Sequence, residues 1–521
     1  MRRLRGACAL EVKVARRYGI TTLATVLALL WTGLLLALPS SAAPVVAPYL
    51  LFLDTAGFGA LFTVALLMFE RLEGTDTTRA VTPLRSAEAT GARVGVLTVV
   101  AVAIALPMSV VTVPAERVWS AVGYTTAGVT LTSVLLLATC MGLGARARTL
   151  QGALLSTAPA LVLFITAPLP HLAGVVHGPL LWVVPTTAGA ELINRGVTGQ
   201  VGTPEGPGGW GVLLYAVGCA VMACWWSIRR AGAPIEAASA FPVSTRSGVG
   251  DASATGPVAA PRSGRSRARS TAGPTGAGRP VLALARYELT TVLRNPLLLV
   301  VALAPVPVSL LLRWAYPAIG EFVRSTYGFD LAPHAPAVFG ALVLLHVPSM
   351  VGSVVALRVV EDIDDRTLLV LRVSPLSLTS YFVFRAGTAA FLALLGLVVA
   401  APLSGLAPAV STGLITAVVL AALSAPLVVM VTTAFASNKV EALVVLKSVG
   451  AVFALLPVLV WALPTFWWTP LLALPPTWSL LALPGYPVDV VSSVLVLLGG
   501  SVSTTVVAAA LARRARSRLP F

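Results

Sequence analysis

Charge is scarce in this chain. Only 11% of its 521 residues are Asp, Glu, Lys or Arg, and 57% are hydrophobic, whereas a water-facing surface ordinarily needs about 25% charged residues. A soluble globule is therefore excluded, and a polytopic membrane protein is indicated. Acids are scarcer than bases: 20 Asp and Glu stand against 36 Lys and Arg, a formal net charge of +16. The basic residues border apolar runs instead of forming a soluble basic domain, so positive-inside bias explains them and nucleic acid is not an expected partner. Lysine is rare beside arginine while Ala and Val abound, the bias of a high-GC bacterial genome. The four cysteines, Cys8, Cys140, Cys219 and Cys224, show neither metal spacing nor a disulfide framework, and read as packing residues. Of four histidines, His171, His177 and His334 fall in expected external connections. No GxxxxGK[ST] phosphate loop occurs and there is no room for a nucleotide-binding domain, which excludes ATP hydrolysis by that route. Nor is there a Ser/His/Asp, HExxH or paired-cysteine constellation. The chain is expected to hold no catalytic residue, no metal and no cofactor of its own.

What is present is a series of apolar runs near the roughly 20 residues that cross a hydrocarbon core. They read at 20–38, 46–69, 91–113, 118–143, 151–169 and 209–228, then at 296–314, 336–359, 380–402, 409–435, 441–463 and 489–511. The first resembles a signal peptide, with Arg2, Arg3 and Arg5 ahead of it, but its apolar run exceeds the usual 7 to 15 or so residues and it is read as an uncleaved span. Residues 2–18 suit a helix lying in the cytoplasmic interface or a plain positive-inside anchor. Arg71, Arg79, Arg85 and Arg93, then Arg146 and Arg148, then Arg229 and Arg230 mark the cytoplasmic side, as do Arg513, Arg514, Arg516 and Arg518 at the far end. Both termini are thus expected inside, at a bacterial plasma membrane. Residues 168–207 are too broken by Gly and Pro for a full span and suit short external or re-entrant helices. From 231 to 280 the composition turns to Ala, Gly, Pro, Ser and Arg, the signature of a disordered linker.

The expected fold is therefore an all-α polytopic membrane protein of about twelve transmembrane helices. It divides into a first six-span half (1–230), a disordered cytoplasmic linker (231–280) and a second six-span half (281–521). An even number of spans per half makes the halves parallel repeats about an axis along the membrane normal. Two cytoplasmic stretches carry the repeat. FERLEGTDTTRAVTPLR (69–85) and VEDIDDRTLLVLRVSPLS (360–377) each leave an apolar span with acids, pass a threonine and an arginine, and close on Ser/Thr-Pro-Leu. Thr75 and Thr367, Pro83 and Pro375, Leu84 and Leu376, and Arg93 and Arg385 all lie 292 positions apart. Ser/Thr-Pro disfavours helix at the residue before proline, so each stretch makes a compact knob between spans two and three. Nearer the sixth span, Pro185-Thr186 and Pro476-Thr477 lie 291 apart.

RYELTTVLRNPLLL before the first span of the second half, VEDIDDRTLLVLRVSPLS after the second, NKVEALVVLK opening the fifth and LPPTWSLLALP before the last resemble an ABC-2 type permease of ATP-binding cassette exporters. Within that group the chain is similar to actinobacterial permeases of the fluoroquinolone-export type. The first half matches more faintly, with Gln151 near the place of Glu441 and no Asn-Lys pair. The resemblance implies two permease units, here fused, each with a connecting helix (about 10–18 and 282–294) and a coupling helix seated in a separate ATPase. Carried onto this sequence, the ATPase-docking residues are Glu70, Glu73, Thr75, Arg79, Thr82 and Pro83, and Glu361, Asp362, Asp364, Asp365, Thr367, Arg372, Ser374 and Pro375. It further implies ATPase subunits holding ATP and Mg, two copies of one or, given the unequal charge of the two segments, two different ones, with a surround of membrane lipids and a hydrophobic, drug-like or antibiotic substrate moved outward. The alternative is a twelve-span ion-coupled secondary transporter, which would need coupling acids in its spans.

Asp54 is the acid well inside a proposed span, and His346 stands 292 positions on. Sixteen residues separate Asp54 from Glu70, about 24 Å of helix at 1.5 Å each. That puts Asp54 in the outer part of a core about 30 Å thick. An Asp54/His346 pair lining the exit path is one reading, a wetted helix end the other. Trp461, Trp467, Trp468 and Trp478 suit an interfacial belt.

Overall fold

Backbone amides have no water to bond in hydrocarbon, so apolar runs of this length fold as helices. In the computed structural model the chain is all-α, with no strand among the described residues, which are 2–38, 40, 42–72, 86–145, 147, 150–174, 179–199, 209–232, 303–364, 377–464, 466, 468–484 and 493–518. The first half runs α1 (Arg2–Arg17), α2 (Ile20–Ala37), α3 (Ala43–Leu72), α4 (Ser86–Thr112), α5 (Val118–Gly144), α6 (Leu150–Thr166), α7 (Thr186–Thr198) and α8 (Gly209–Gly232). The second runs α9 (Pro305–Tyr327), α10 (His346–Asp364), α11 (Leu378–Ser404), α12 (Thr412–Ala422), α13 (Ser424–Phe435), α14 (Lys439–Ala462), α15 (Pro475–Leu481) and α16 (Ser493–Arg518). Both halves belong to one compact unit; a second, Ala233–Arg294, lies outside the described residues, and with it all but the start of the expected linker and the connecting helix at 282–294.

Ten helices among the described residues are long and apolar enough to cross a membrane, five in each half. The two remaining expected spans differ from the sequence reading. At 151–169 the helix is only 17 residues long; Pro168 has no N–H to donate to Phe164, and a short helix, Pro168–Leu172, follows at once with Ala167 still in helical conformation. At 296–314 the first residues lie outside the described part, and α9 runs on to Tyr327. Nothing stops it until Gly328, whose φ of 66° is the left-handed cap that glycine adopts without strain.

Proline places the breaks inside spans. Pro426 cannot donate to residue 422, and the fourth span of the second half divides into α12 and α13 at Leu423. Ahead of Pro348, a π-turn at Gly340–Leu344 precedes α10, with Leu345 N–H bonding Gly340 O at 3.0 Å. His346 is the first residue of α10, and it is exposed.

The same packing recurs in both halves: span two against spans three and four, span one against three, and four against six. On the expected external side, α7 and α15 each pack on span four. Gly128 of α5 permits this, since a Cβ there would stand 2.7 Å from the Gly189 carbonyl. Thr187 Oγ1 donates to Leu181 O at 2.7 Å, and Thr477 Oγ1 to Leu471 O at 2.8 Å. These matched bonds lie 290 positions apart, one fewer than the Pro-Thr match suggests.

Charge is buried around α7. Glu191 accepts from Arg195 Nε at 2.7 Å, and His171 Nε2 lies 3.0 Å from its other oxygen. Burial by itself pushes the Glu191 carboxyl up, but these two hydrogen bonds outweigh it and hold the group below its usual value. A depressed folded-state value adds stability that is present above the unfolded value of about 4.3 and is lost as pH falls through the folded one. Glu191→Gln is therefore expected to flatten the acid limb of the thermal-stability profile below about pH 4. An unaltered limb would remove Glu191 from this role.

Candidate functional site

The ends of spans two and three that adjoin the 73–85 connection hold a cluster of buried charge. Arg93, 2% exposed, sits eight positions into α4. An unpaired guanidinium there would be costly, and two acids converge on it. Its Nη2 donates to Glu11 Oε1 at 3.0 Å and also to Glu70, while Nε reaches Glu11 Oε2 at 3.4 Å. Glu70 lies in the last turn of α3, so the bond joins the end of span two to span three. Glu11 comes from α1, whose buried side is Ala7, Glu11 and Ala15, while Leu4, Leu10 and Val12 are exposed. Tyr18 then packs edge-on to Phe69 at 5.4 Å. One arginine thus fastens α1, span two and span three together.

The second half repeats the device. Arg385, 6% exposed, donates to Asp362 Oδ2 at 2.9 Å. Arg93 and Arg385 lie 292 positions apart, and so do Glu70 and Asp362. The same pairing therefore stands on either side of both repeated stretches. The third member differs: Tyr381 O–H donates to Asp362 and accepts from Arg385 Nε at 3.2 Å, where the first half uses Glu11.

Each half also ties the end of span two to the connection between spans four and five, with opposite charge. In the first, Arg71 donates to the carbonyls of Ala145 and Ala147, each at 2.7 Å, and to Gly144 at 3.4 Å. In the second, acids serve. Lys439 N–H donates to Asp364 Oδ2 at 3.1 Å and its Nζ lies 3.4 Å from Glu361 Oε1, which also places Arg358 2.9 Å from the other Glu361 oxygen. Asn438 caps α14 by accepting from Val440 and Glu441 N–H. A guanidinium suits the carbonyl-rich C-terminus of α5, and carboxylates suit the N-terminus of α14. These bonds give NKVEALVVLK its local meaning.

Of the docking residues read from the sequence, Glu70, Glu361, Asp362 and Asp364 are thus placed at the rims of the two segments. Glu73, Thr75, Arg79, Thr82, Pro83, Asp365, Thr367, Arg372, Ser374 and Pro375 lie outside the described residues. Asp54 stands beside Lys447 of α14, with Nζ 3.6 Å from Oδ1. Sequence reading noted the register of Arg93 and Arg385 but not what they hold, and passed over Glu11, Tyr381 and Lys447. The signal for the arginines was their place a few residues inside an apolar run; nothing local marked Glu11 within a basic helix.

Two family models cover the chain in succession. That of the fluoroquinolones export permease protein family matches residues 2–231, and that of fluoroquinolones export permease protein Rv2686c-like matches 288–512. The Mycobacterium tuberculosis fluoroquinolones export permease protein Rv2686c is 31% identical over 202 residues, 39% of this chain and 80% of that protein. The fluoroquinolones export permease protein Rv2687c of the same organism is 27% identical over 228 residues, 43% of this chain and 92% of that protein. With one family match on each half and that identity over most of a relative's length, the chain belongs to the fluoroquinolone export permease family, as an integral membrane permease with two units in one polypeptide.

Proposed function

We propose that this chain is the transmembrane subunit of an ATP-driven exporter of drug-like, lipophilic compounds, fluoroquinolones among them. Two six-span permease units, 1–230 and 281–521, lie parallel in the plasma membrane with both termini cytoplasmic, joined by the linker 231–280. Two copies of a separate ABC ATPase carry the ATP and Mg, and the chain itself performs no catalysis. The residues 75–84 and 367–376 seat in those ATPases, with Glu70, Glu73, Glu361, Asp362, Asp364 and Asp365 at their margins. Closure of the ATPases on ATP pushes on both segments, and the halves turn between inward-closed and outward-open states.

The duplicated clamp carries this reading. A loop that only connects two spans needs no buried arginine at its root, and burying one is unfavourable unless it is fully paired. Here Arg93–Glu70 and Arg385–Asp362 occur at equivalent places, so force entering either segment passes directly to spans two and three. Through Glu11 it also reaches α1. Inside-out membrane vesicles holding the chain and its ATPase should accumulate a fluoroquinolone on addition of ATP. Accumulation driven by a proton gradient without any ATPase would favour the ion-coupled alternative.

A further inference from the structure

Lys447 is the residue this scheme leaves unexplained. The chain has only three lysines, Lys13, Lys439 and Lys447, among its 36 basic residues, so a genomic bias toward arginine does not account for one inside a span. It lies eight residues along α14 from Lys439, about 12 Å of helical rise. Its ammonium nitrogen is shut off from the surface and makes no hydrogen bond. Around it are Asp54 Oδ1 at 3.6 Å and the ring of Phe58, whose centroid is 4.6 Å away. Phe58 is itself fully buried and edge-on to Phe62.

The location is the seam between the halves. Asp54 and Phe58 belong to α3 of the first half and Lys447 to α14 of the second. That helix packs on α2 and α3, with Val440, Leu443 and Val444 joining the first half's core. A buried ion pair is poor at adding stability, since apolar residues of similar volume often do as well or better. Three ammonium donors with no hydrogen bond, next to a carboxylate and an aromatic face, are instead what a ligand could complete.

We propose that Asp54, Lys447 and Phe58 form a charge-neutral selectivity site for amphoteric aromatic substrates, which carry a carboxylate and a protonated amine on one ring system. This rests on the export reading and assigns to three residues of the chain the discrimination among its substrates by charge. The substrate carboxylate takes Lys447, its ammonium takes Asp54, and its ring lies against Phe58. One internal ion pair is exchanged for two across the interface, and the low-dielectric seam keeps zero net charge. A substrate bearing a single charge leaves either Lys447 or Asp54 uncompensated, so the same pair rejects it.

The test uses one scaffold in three charge states: a piperazinyl fluoroquinolone, its methyl ester (net cation) and its N-acetyl derivative (net anion). Binding of each to the purified full-length chain in lipid nanodiscs is measured by equilibrium dialysis at neutral pH. The zwitterion should bind at least about tenfold tighter than either derivative, a difference of about 1.4 kcal/mol. Lys447→Gln should weaken the zwitterion by about tenfold and strengthen the ester. Asp54→Asn should weaken it similarly and strengthen the N-acetyl form. Opposite shifts from the two variants are not what a merely structural pair would give. Equal binding of all three to the unmodified chain overturns the proposal, which needs no variant to fold. Uniform weakening in both variants, or an unchanged ranking, also overturns it. Selective binding without ATP-driven export would instead sink the export reading and leave the site standing.

Discussion

Arg93→Met is expected to destabilise the protein by about 3–5 kcal/mol, because it takes from Glu11 and Glu70 the buried guanidinium that both bind. Glu11 is 6% exposed and Glu70 is mostly covered, so neither can recover its lost partner from bulk water. Arg385→Met should cost less, since the Tyr381 hydroxyl still donates to Asp362. The informative variant replaces all three residues, Glu11→Leu, Arg93→Met and Glu70→Leu. Removing paired buried charges together is often neutral or stabilising, so thermal stability in detergent should return to near that of the parent. If the clamp transmits load, ATP-driven export stays depressed by about tenfold or more, some 1.4 kcal/mol of coupling. Recovered stability with recovered export would reduce the clamp to a folding device.

The second large effect concerns the segments themselves. Replacing 367–376 with a Gly-Ser sequence of equal length should leave membrane insertion intact. Partner ATPase binding and ATP-driven export should fall by about tenfold or more. The equivalent replacement of 75–84 tests whether the two halves bear equal shares. Their fastenings differ in chemistry: the second half locks span two to α14 through Asp364, Glu361 and Lys439, the first through Arg71 and backbone carbonyls. A symmetric partner needs both, and then each replacement is as damaging as the other. Export surviving either one at parental rate would remove that segment from the drive.

Much of the fold was legible because membrane helices are written in composition. Ten of the apolar runs correspond to helices long enough to span. The interruptions were less legible. Pro348 and Pro426 alter their spans through lost backbone donors, yet Pro48 and Pro107 sit inside continuous helices, so proline alone does not announce a break. The continuation of α9 to Tyr327 was hidden because Arg313, Glu321 and Arg324 lower the apolarity of a segment that is helical all the same.

At the functional site, repetition was the useful signal. The register that links Thr75 to Thr367 also links Glu70 to Asp362 and Arg93 to Arg385, and the structure joins these four residues as two equivalent ion pairs. Partners distant in sequence were not recoverable. Glu11 is 82 residues from Arg93, and its identity as a clamp depends on which side of α1 is buried. Lys447 was absorbed into a motif, and Asp54 was compared with His346 by register when the structure sets Lys447 beside it. A repeat reveals equivalence between halves; it does not reveal contacts across their seam.

The most direct measurement is drug movement in proteoliposomes containing the chain and a purified partner ATPase, with ATP supplied only on the side facing the ATPase. Fluoroquinolone transport away from that side should require ATP and Mg, cease with an ATPase unable to hydrolyse, and persist when the proton gradient is collapsed. Transport that continues without the ATPase and tracks the proton gradient would contradict an ATP-driven permease.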